Sequence, residues 1–175
     1  MKNSIPNSCK VVVIGGGVAG CSTAYHLAKF GWQDTVLLER DVLTSGTTWH
    51  AAGLIGQLGS SATITKLRNY SLNLYKQLEK ETGLSTGLRQ NGSLTVATTH
   101  DRLDELKRQV TFAQRFDIEA KQVNREEIKE IYPLINVEDI VGGVFIARDG
   151  QADPVGVANV LAKAARQNGA KIIEK

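Results

Sequence analysis

Three glycines near the N-terminus have the spacing of a phosphate-binding turn. Gly15, Gly17 and Gly20 follow a run of β-branched residues and precede a segment with helical periodicity. A glycine turn at the start of a helix exposes backbone N–H groups, and the positive end of the helix dipole stabilises a phosphate there. Glu39 comes nineteen residues after Gly20, at the end of the next apolar run, where a carboxylate accepts hydrogen bonds from a ribose diol. These residues together predict a dinucleotide site.

Each glycine has a separate physical role in this prediction. Gly15 makes the tight turn, Gly17 lets the backbone approach a pyrophosphate, and Gly20 lets the helix pack closely on the strand. The N–H groups of Val18 and Ala19 are the candidate phosphate donors, because they lie in the first turn of the helix. The alternative is a glycine-rich turn in an α/β fold that binds no cofactor.

A second glycine-containing segment bears on which dinucleotide is bound. Glu39 would repel a 2′-phosphate, which argues against NADP, but the glycine spacing alone is compatible with both NAD and FAD. Residues 44–54 are rich in Gly, Ser and Thr, whereas a simple NAD domain usually continues quickly into its next helix. A polar loop at this position favours a long cofactor with a ring system. An NAD-dependent dehydrogenase is the alternative.

The elements that position these residues form one strand–helix–strand unit. The sequence predicts strands at residues 10–14 and 35–39 and, between them, a helix over residues 21–30 that Gly31 ends. The β-branched runs are typical of buried parallel strands, and about 30 residues suffice for a right-handed crossover. The fold class predicted from this unit is α/β.

The rest of the chain predicts an α+β portion inserted into that fold. The predicted elements are a helix over 64–78, a strand at 93–98, a helix over 101–116, a short helix from Asn124, a strand at 141–147, a turn at Asp149–Gly150, a helix over 153–167 and a strand at 171–174. We divide the chain into residues 1–60, the first part of the dinucleotide domain, 61–150, the inserted substrate portion, and 151–175, a return to the dinucleotide domain. Because the chain stops on a strand, we expect it to be the N-terminal part of a longer protein with an incomplete dinucleotide fold.

Composition excludes several other classes of protein. Hydrophobic residues make up 42% and charged residues 22% of the chain, and the net charge is +3, which is too weak to indicate nucleic acid or an anionic membrane as a partner. No apolar run approaches the ~18 residues of a membrane span. Cys9 and Cys21 form no CxxC pair and have no nearby histidines, so neither zinc nor a disulfide is predicted, and reduced thiols in a cytosol-like compartment are expected.

Several motifs resemble the flavin-dependent sarcosine and dimethylglycine dehydrogenases. The likeness is carried by Val-Ile-Gly-Gly-Gly-Val-Ala-Gly at 13–20, Leu-Leu-Glu-Arg at 37–40 and Leu-Thr-Ser-Gly-Thr-Thr-Trp-His-Ala-Ala-Gly-Leu at 43–54. It continues through Gln-Asn-Gly-Ser-Leu at 90–94, Tyr-Pro-Leu at 132–134, Asp-Gly at 149–150 and Asp-Pro at 153–154. The resemblance therefore spans nearly the whole chain, and the residues of these motifs are slightly more similar to those of sarcosine dehydrogenases.

This resemblance implies a Rossmann-like FAD-binding fold of the glutathione-reductase/amine-oxidase type. In such enzymes the histidine of the Thr-Trp-His motif is joined through an imidazole nitrogen to the 8α carbon of the flavin. His50 would therefore carry FAD covalently. Val18 and Ala19 would contact the pyrophosphate, and Glu39 and Arg40 the adenosine end. The flavin side would be lined by Gly46, Thr47, Thr48, Trp49, His50, Ala51, Ala52, Gly53 and Leu54.

The resemblance also implies an activity and its partners. The reaction would be oxidation of an N-methyl amino acid such as sarcosine by hydride transfer to the flavin, with electron-transfer flavoprotein as acceptor and a tetrahydrofolate site further along the protein. The location would be the cytoplasm, or the mitochondrial matrix in a eukaryote. No acid–base group and no arginine pair for a substrate carboxylate is identified, so no catalytic residue is assigned. The alternatives are a dimethylglycine dehydrogenase or oxidase and a non-catalytic regulatory homologue, against which the intact Trp49-His50 pair weighs.

Overall fold

The computed structural model describes residues 5–175, which divide into two compact units. The first unit contains residues 5–53 together with Asn73–Leu88 and Ala152–Lys175, and the second contains Leu54–Leu72 and Arg89–Gln151. The chain therefore leaves the first unit after the dinucleotide motifs and returns to it before the last helix, with residues 73–88 as an additional part of the first unit.

Within residues 5–175 there are eight strands and five α-helices. The strands are β1 Val11–Ile14, β2 Thr35–Leu38, β3 Leu54–Ile55, β4 Ser93–Ala97, β5 Ala120–Val123, β6 Gly142–Ile146, β7 Gly150–Gln151 and β8 Lys171–Ile173. The helices are α1 Val18–Lys29, α2 Ala62–Thr82, α3 His100–Gln114, α4 Arg125–Ile131 and α5 Pro154–Gln167. This confirms the α/β class.

The first unit contains a parallel sheet in the order β1-β2-β8. Val11 lies opposite Thr35, and Val36 lies opposite Lys171 in the neighbouring strand. The β-branched and apolar side chains of β2 are buried or nearly so, as expected for the middle strand of a parallel sheet. The predicted strand–helix–strand unit and its third strand are confirmed.

Helices α1 and α5 pack against each other in the first unit. Their buried side chains are mostly small, and include Ala24, Ala28, Ala158, Ala162 and Ala165. The start of α5 follows the prediction, since the side chain of Asp153 accepts a hydrogen bond from the N–H of Val155 at 3.0 Å and Pro154 occupies the first helical position. A capping side chain and a proline at this position both favour helix initiation.

The second unit contains an antiparallel sheet in the order β4-β6-β5. Its core is formed by Ala97, Leu106, Val110, Ala113, Ile118, Val144 and Ile146. Helix α4 begins after Asn124 as predicted, with a capping box in which Asn124 and Glu127 each accept a hydrogen bond from the other's backbone N–H. Strand β5 was not predicted. Its sequence Ala-Lys-Gln-Val has two adjacent polar residues in the middle, so apolar and polar side chains do not alternate as in a half-buried strand. The segment is a strand because it pairs with β6.

The structure differs from the prediction at two places between residues 44 and 151. The polar loop predicted over residues 44–54 contains a one-turn 3-10 helix at Thr48–His50, and the short strand β3 begins at its end. The turn predicted at Asp149–Gly150 lies at residues 147–148, and Gly150 begins β7, which pairs with β3. Gly150 is required there because a Cβ atom would overlap the carbonyl oxygen of Arg89.

A buried carboxylate joins three segments of the second unit. Asp149 is 4% exposed, and its oxygens accept hydrogen bonds from the N–H of Gln57 at 2.8 Å and from the hydroxyl of Ser93 at 2.7 Å. Gln57 directly follows β3 and Ser93 begins β4. Asp149 therefore fixes the segment after β3 and the start of β4 within this unit.

We expect Asp149→Ala to destabilise the second unit by about 3 kcal/mol. The N–H of Gln57 and the hydroxyl of Ser93 both lose their acceptor, and the N–H of Gln57 is buried and cannot donate to water instead. Asp149→Asn, which keeps one acceptor oxygen, should cost less than half as much. The measurement is hydrogen–deuterium exchange of residues 54–60, which should accelerate in Asp149→Ala. The exposed Asp139→Ala is the control, and equal exchange in the two alanine variants would refute this role.

No helix within residues 5–175 is long and apolar enough to cross a bilayer. The same residues contain no group of three or more His, Cys, Asp or Glu side chains that could hold a metal ion.

Candidate functional site

The glycine turn follows β1 directly. Gly15 has a φ of +106°, which residues with a side chain rarely adopt, and its N–H donates to the carbonyl of Leu38 at 2.8 Å. A Cβ atom on Gly15 would meet no atom within 4 Å. The turn is therefore tight, as expected, and the space beside it is open.

Gly20 has the packing role expected for the third glycine. A Cβ atom on Gly20 would overlap the carbonyl oxygen of Gly15 and would lie 3.6 Å from a methyl carbon of Val13. Helix α1 thus approaches the turn as closely as its backbone allows. At Gly17 a Cβ atom would lie 2.9 Å from the hydroxyl oxygen of Thr48, so a protein side chain occupies the space beside this glycine.

Thr48 caps the start of α1 from thirty residues downstream. Its hydroxyl oxygen accepts a hydrogen bond from the N–H of Val18 at 3.0 Å, and the residue is 7% exposed. The residue at the usual capping position, Gly17, has no side chain to do this. Of the two predicted phosphate donors, Val18 therefore donates to Thr48, whereas Ala19 lies in the first turn and has no carbonyl inside the helix to donate to.

Glu39 lies against the glycine turn. Its carboxylate oxygens accept hydrogen bonds from the N–H of Gly16 at 2.6 Å and from the N–H of Asp41 at 3.0 Å. The bond from Gly16 is the main cause that holds the pKa of Glu39 below its ordinary value. The group is therefore ionised at neutral pH, and each oxygen retains acceptor capacity for a ribose hydroxyl.

Gly16 is a residue that sequence reasoning missed. Its N–H donates to Glu39, and its carbonyl accepts from the N–H of Thr44 at 3.0 Å and from the thiol of Cys21 at 3.5 Å. A Cβ atom on Gly16 would lie 2.5 Å from a methyl carbon of Leu43. Burial raises the pKa of Cys21 to about 11, so its thiol keeps the proton that it donates. The signal in the sequence was an additional glycine between Gly15 and Gly17.

The segment after Glu39 is held from the far end of the chain. The N–H of Leu43 donates to the carboxylate of Glu174 at 2.9 Å, and Arg166 pairs with the other oxygen of Glu174 at 2.9 Å. Thr44, 7% exposed, has a φ of +71°, which is strained for a β-branched residue. Such strain persists only where surrounding contacts impose it, and here the bonds of Leu43 and Thr44 impose it at the start of the loop.

His50 lies at the end of the 3-10 turn, beside Trp49. The centres of the two rings are 3.7 Å apart with an interplanar angle of 33°. Trp49 is 57% exposed and His50 is also exposed. The N–H of His50 donates to the carbonyl of Thr47 at 3.2 Å. The turn therefore displays a stacked indole and imidazole at the surface of the first unit.

The loop ends where Gly53 meets the segment before α5. Gly53 has a φ of +72° and its carbonyl accepts from the N–H of Ala152 at 2.8 Å. A Cβ atom there would overlap the carbonyl oxygen of Ala152, so glycine is required. The other predicted site residues are exposed and make no side-chain hydrogen bond to any residue in 5–175: Arg40, Gly46, Thr47, Ala51, Ala52 and Leu54.

The first unit thus brings an open glycine turn, a helix start and an ionised carboxylate together. Each feature is of a type that suits part of a dinucleotide: the space beside Gly15 is open, the positive end of a helix suits a pyrophosphate, and a carboxylate suits a ribose diol. The fold and this site define a dinucleotide-binding α/β protein.

Residues 10–175 match the family of FAD dependent oxidoreductases, and the chain belongs to this family. Membership confirms the prediction of FAD as the dinucleotide. The protein is 46% identical over 171 residues to the mitochondrial sarcosine dehydrogenase of Homo sapiens, covering 97% of this chain and 19% of that protein. It is 43% identical over 160 residues to the mitochondrial dimethylglycine dehydrogenase of Rattus norvegicus, covering 91% of this chain and 19% of that protein.

A third relative carries a regulatory name. The mitochondrial pyruvate dehydrogenase phosphatase regulatory subunit of Mus musculus is 41% identical over 172 residues, covering 98% of this chain and 20% of that protein. The chain therefore spans about a fifth of the length of these relatives. Among solved structures, L-proline dehydrogenase from P. horikoshii superposes with a TM-score of 0.89 at 29% identity, over 97% of this chain and 45% of that chain.

Proposed function

We propose that the protein oxidises an N-methyl amino acid, with sarcosine as the preferred substrate, by means of FAD joined covalently to His50. The observation that carries the proposal is the placement of His50, exposed at the end of a turn whose Thr48 is bonded to the first residue of the dinucleotide helix. The similarity to dehydrogenases named for sarcosine and dimethylglycine supports the substrate class.

The residues of this chain have binding roles in the proposal. The start of α1, with the N–H of Ala19, stabilises the pyrophosphate, and Glu39 accepts hydrogen bonds from the ribose. His50 holds the ring system by a covalent bond, which prevents loss of the cofactor. When bound, FAD supplies a two-electron acceptor for the hydride equivalent of the N-methyl carbon. The amine must be neutral to react, and no residue of this chain is assigned to remove its proton.

The partners in the proposal follow from the resemblance. Electron-transfer flavoprotein is the proposed acceptor, and tetrahydrofolate the proposed one-carbon acceptor in a region beyond these 175 residues. The curated relatives are named as mitochondrial proteins, which supports the mitochondrial matrix as the location in a eukaryotic source.

Dimethylglycine oxidation is the second candidate, favoured by an identity of 43% that nearly equals the 46% to sarcosine dehydrogenase. A non-catalytic regulatory role is favoured by the match to the phosphatase regulatory subunit. The presence of both Trp49 and His50 weighs against that role, because a binding module has no use for a flavin-linking histidine.

The test is anaerobic mixing of the full-length protein with sarcosine or dimethylglycine while the visible absorbance of oxidised flavin is recorded. We expect sarcosine to bleach the flavin at least about tenfold faster, since one extra methyl group changes specificity roughly 10–200-fold. Faster bleaching by dimethylglycine would overturn the choice of sarcosine. A flavin that neither amine reduces would overturn N-methyl oxidation, and a protein without flavin would support the regulatory role.

A further inference from the structure

Trp49 is placed in an unusual way for a large aromatic side chain. It is 57% exposed, although tryptophan normally contributes to stability by burying its large surface. Its ring centre lies 3.7 Å from that of His50, which is closer than the usual range of about 4.5–7 Å for aromatic pairs. The interplanar angle of 33° makes this a tilted stack. The indole and the imidazole are therefore in direct contact.

The support of this stack is fixed to the first unit. Thr48 precedes Trp49 and is 7% exposed; its hydroxyl accepts from the N–H of Val18, and its carbonyl accepts from the N–H of Ala51 at 3.2 Å. One end of the turn is therefore anchored by hydrogen bonds, whereas the next two side chains are exposed. A side chain on a fixed backbone still has its own rotamers, which only a neighbour can restrict.

We propose that Trp49 is a positioning residue for His50: its indole holds the imidazole in the orientation from which a ring nitrogen attaches to the flavin. The inference rests on the proposed covalent attachment of FAD to His50 and explains what makes that attachment fast. Pre-orientation of a reacting group raises the rate of a bond-forming step because fewer conformations must be searched.

The attachment can be written with atoms and electrons balanced. The imidazole of His50 loses its N–H proton and forms a carbon–nitrogen bond to the 8α carbon, which loses one hydrogen as a proton. The two electrons of the broken carbon–hydrogen bond pass to dioxygen, which takes up both protons and becomes hydrogen peroxide. Trp49 is not consumed and exchanges no proton in this step.

The size of the effect follows from side-chain rotamers. Histidine has three χ1 wells and about two ring orientations, so an unrestrained imidazole occupies the reactive one roughly one sixth of the time. We therefore expect Trp49→Ala to slow covalent attachment about three- to sixfold. Trp49→Phe, which keeps a flat ring, should restore most of the rate.

The experiment uses the full-length protein prepared without flavin. FAD is added in air, samples are denatured at intervals, and protein-bound flavin fluorescence is followed on a denaturing gel. Trp32→Ala is the matched control, because Trp32 is 52% exposed and lies outside the loop; its attachment rate should equal that of the wild type. Attachment in Trp49→Ala at the wild-type rate would overturn the inference.

Two further arms separate positioning from other causes. If the wild type acquires no covalent flavin, the proposed attachment itself fails, and the inference fails with it. The attachment rate is measured at saturating FAD, so that any change in cofactor affinity on loss of Trp49 does not enter it. An attachment rate in Trp49→Ala that rises to the wild-type value once FAD is saturating would show that Trp49 binds the cofactor rather than orienting His50.

Discussion

Substitution of His50 by alanine is expected to leave the acid-precipitated full-length protein without flavin. Only a covalent bond survives denaturation in acid, and His50 is the exposed histidine at the end of the loop bonded to the dinucleotide helix. The other two histidines are placed differently: the Nδ1 atom of His26 lies 2.7 Å from the carbonyl of Ser22 in α1, and His100 begins α3 in the second unit. The measurement is the flavin spectrum of pellet and supernatant.

His100→Ala is the control for this substitution, since His100 is also exposed and its pellet should stay yellow. The supernatant of His50→Ala should contain FAD, because Glu39 and the start of α1 are unchanged. A yellow His50→Ala pellet would place the attachment elsewhere. Flavin released from the wild type into the supernatant would refute the covalent bond while keeping the cofactor.

The parts of the site that the sequence predicted are local in the chain. The close contact of Gly20 with Gly15 lies within five residues, and Leu38 and Glu39, which accept from Gly15 and Gly16, lie one crossover away. Short-range steric requirements leave a mark on residue types, because only glycine tolerates a φ of +106° or a backbone oxygen in place of its Cβ. The strand–helix–strand unit was therefore predictable in the order of its elements and in their parallel pairing.

The contacts that the sequence did not predict join residues far apart. Val18 was predicted to donate to a phosphate, and in the structure it donates to Thr48. Sequence identifies an N–H without an intrahelical partner, but a hydroxyl and a phosphate are both acceptors, so it does not identify which one is used. The bond between Leu43 and Glu174 spans 131 residues, and no periodic pattern connects such positions.

The two shortest strands were not predicted from the sequence for another reason. Strands β3 and β7 have two residues each, which is too few for alternation to be recognised. Gly150 was assigned to a turn because glycine is common in turns. Glycine is in fact required at position 150 because the backbone of Arg89 lies too close for a Cβ atom. Arg89 and Gln151 form two backbone hydrogen bonds there, at 2.8 and 3.0 Å.

Gly20→Ala is expected to weaken the first unit and its affinity for FAD together. The added Cβ atom would overlap the carbonyl oxygen of Gly15, and because this is backbone, the whole start of α1 must move away from the turn. Overpacking of this kind costs up to about 3 kcal/mol. If the whole of this cost is lost from the free energy of FAD binding, the affinity for FAD falls roughly 100-fold, since each 1.4 kcal/mol is a factor of ten.

The measurement is FAD titration in a His50→Ala background, where binding is non-covalent, together with the urea midpoint of the same protein. Thr23→Ala is the control, because Thr23 is exposed on the same helix and its loss should change stability by no more than about 0.5 kcal/mol. Unchanged FAD affinity in Gly20→Ala would mean that the start of α1 does not contact the cofactor. Since Thr48 is bonded to that helix start, the variant should also slow covalent attachment when His50 is present.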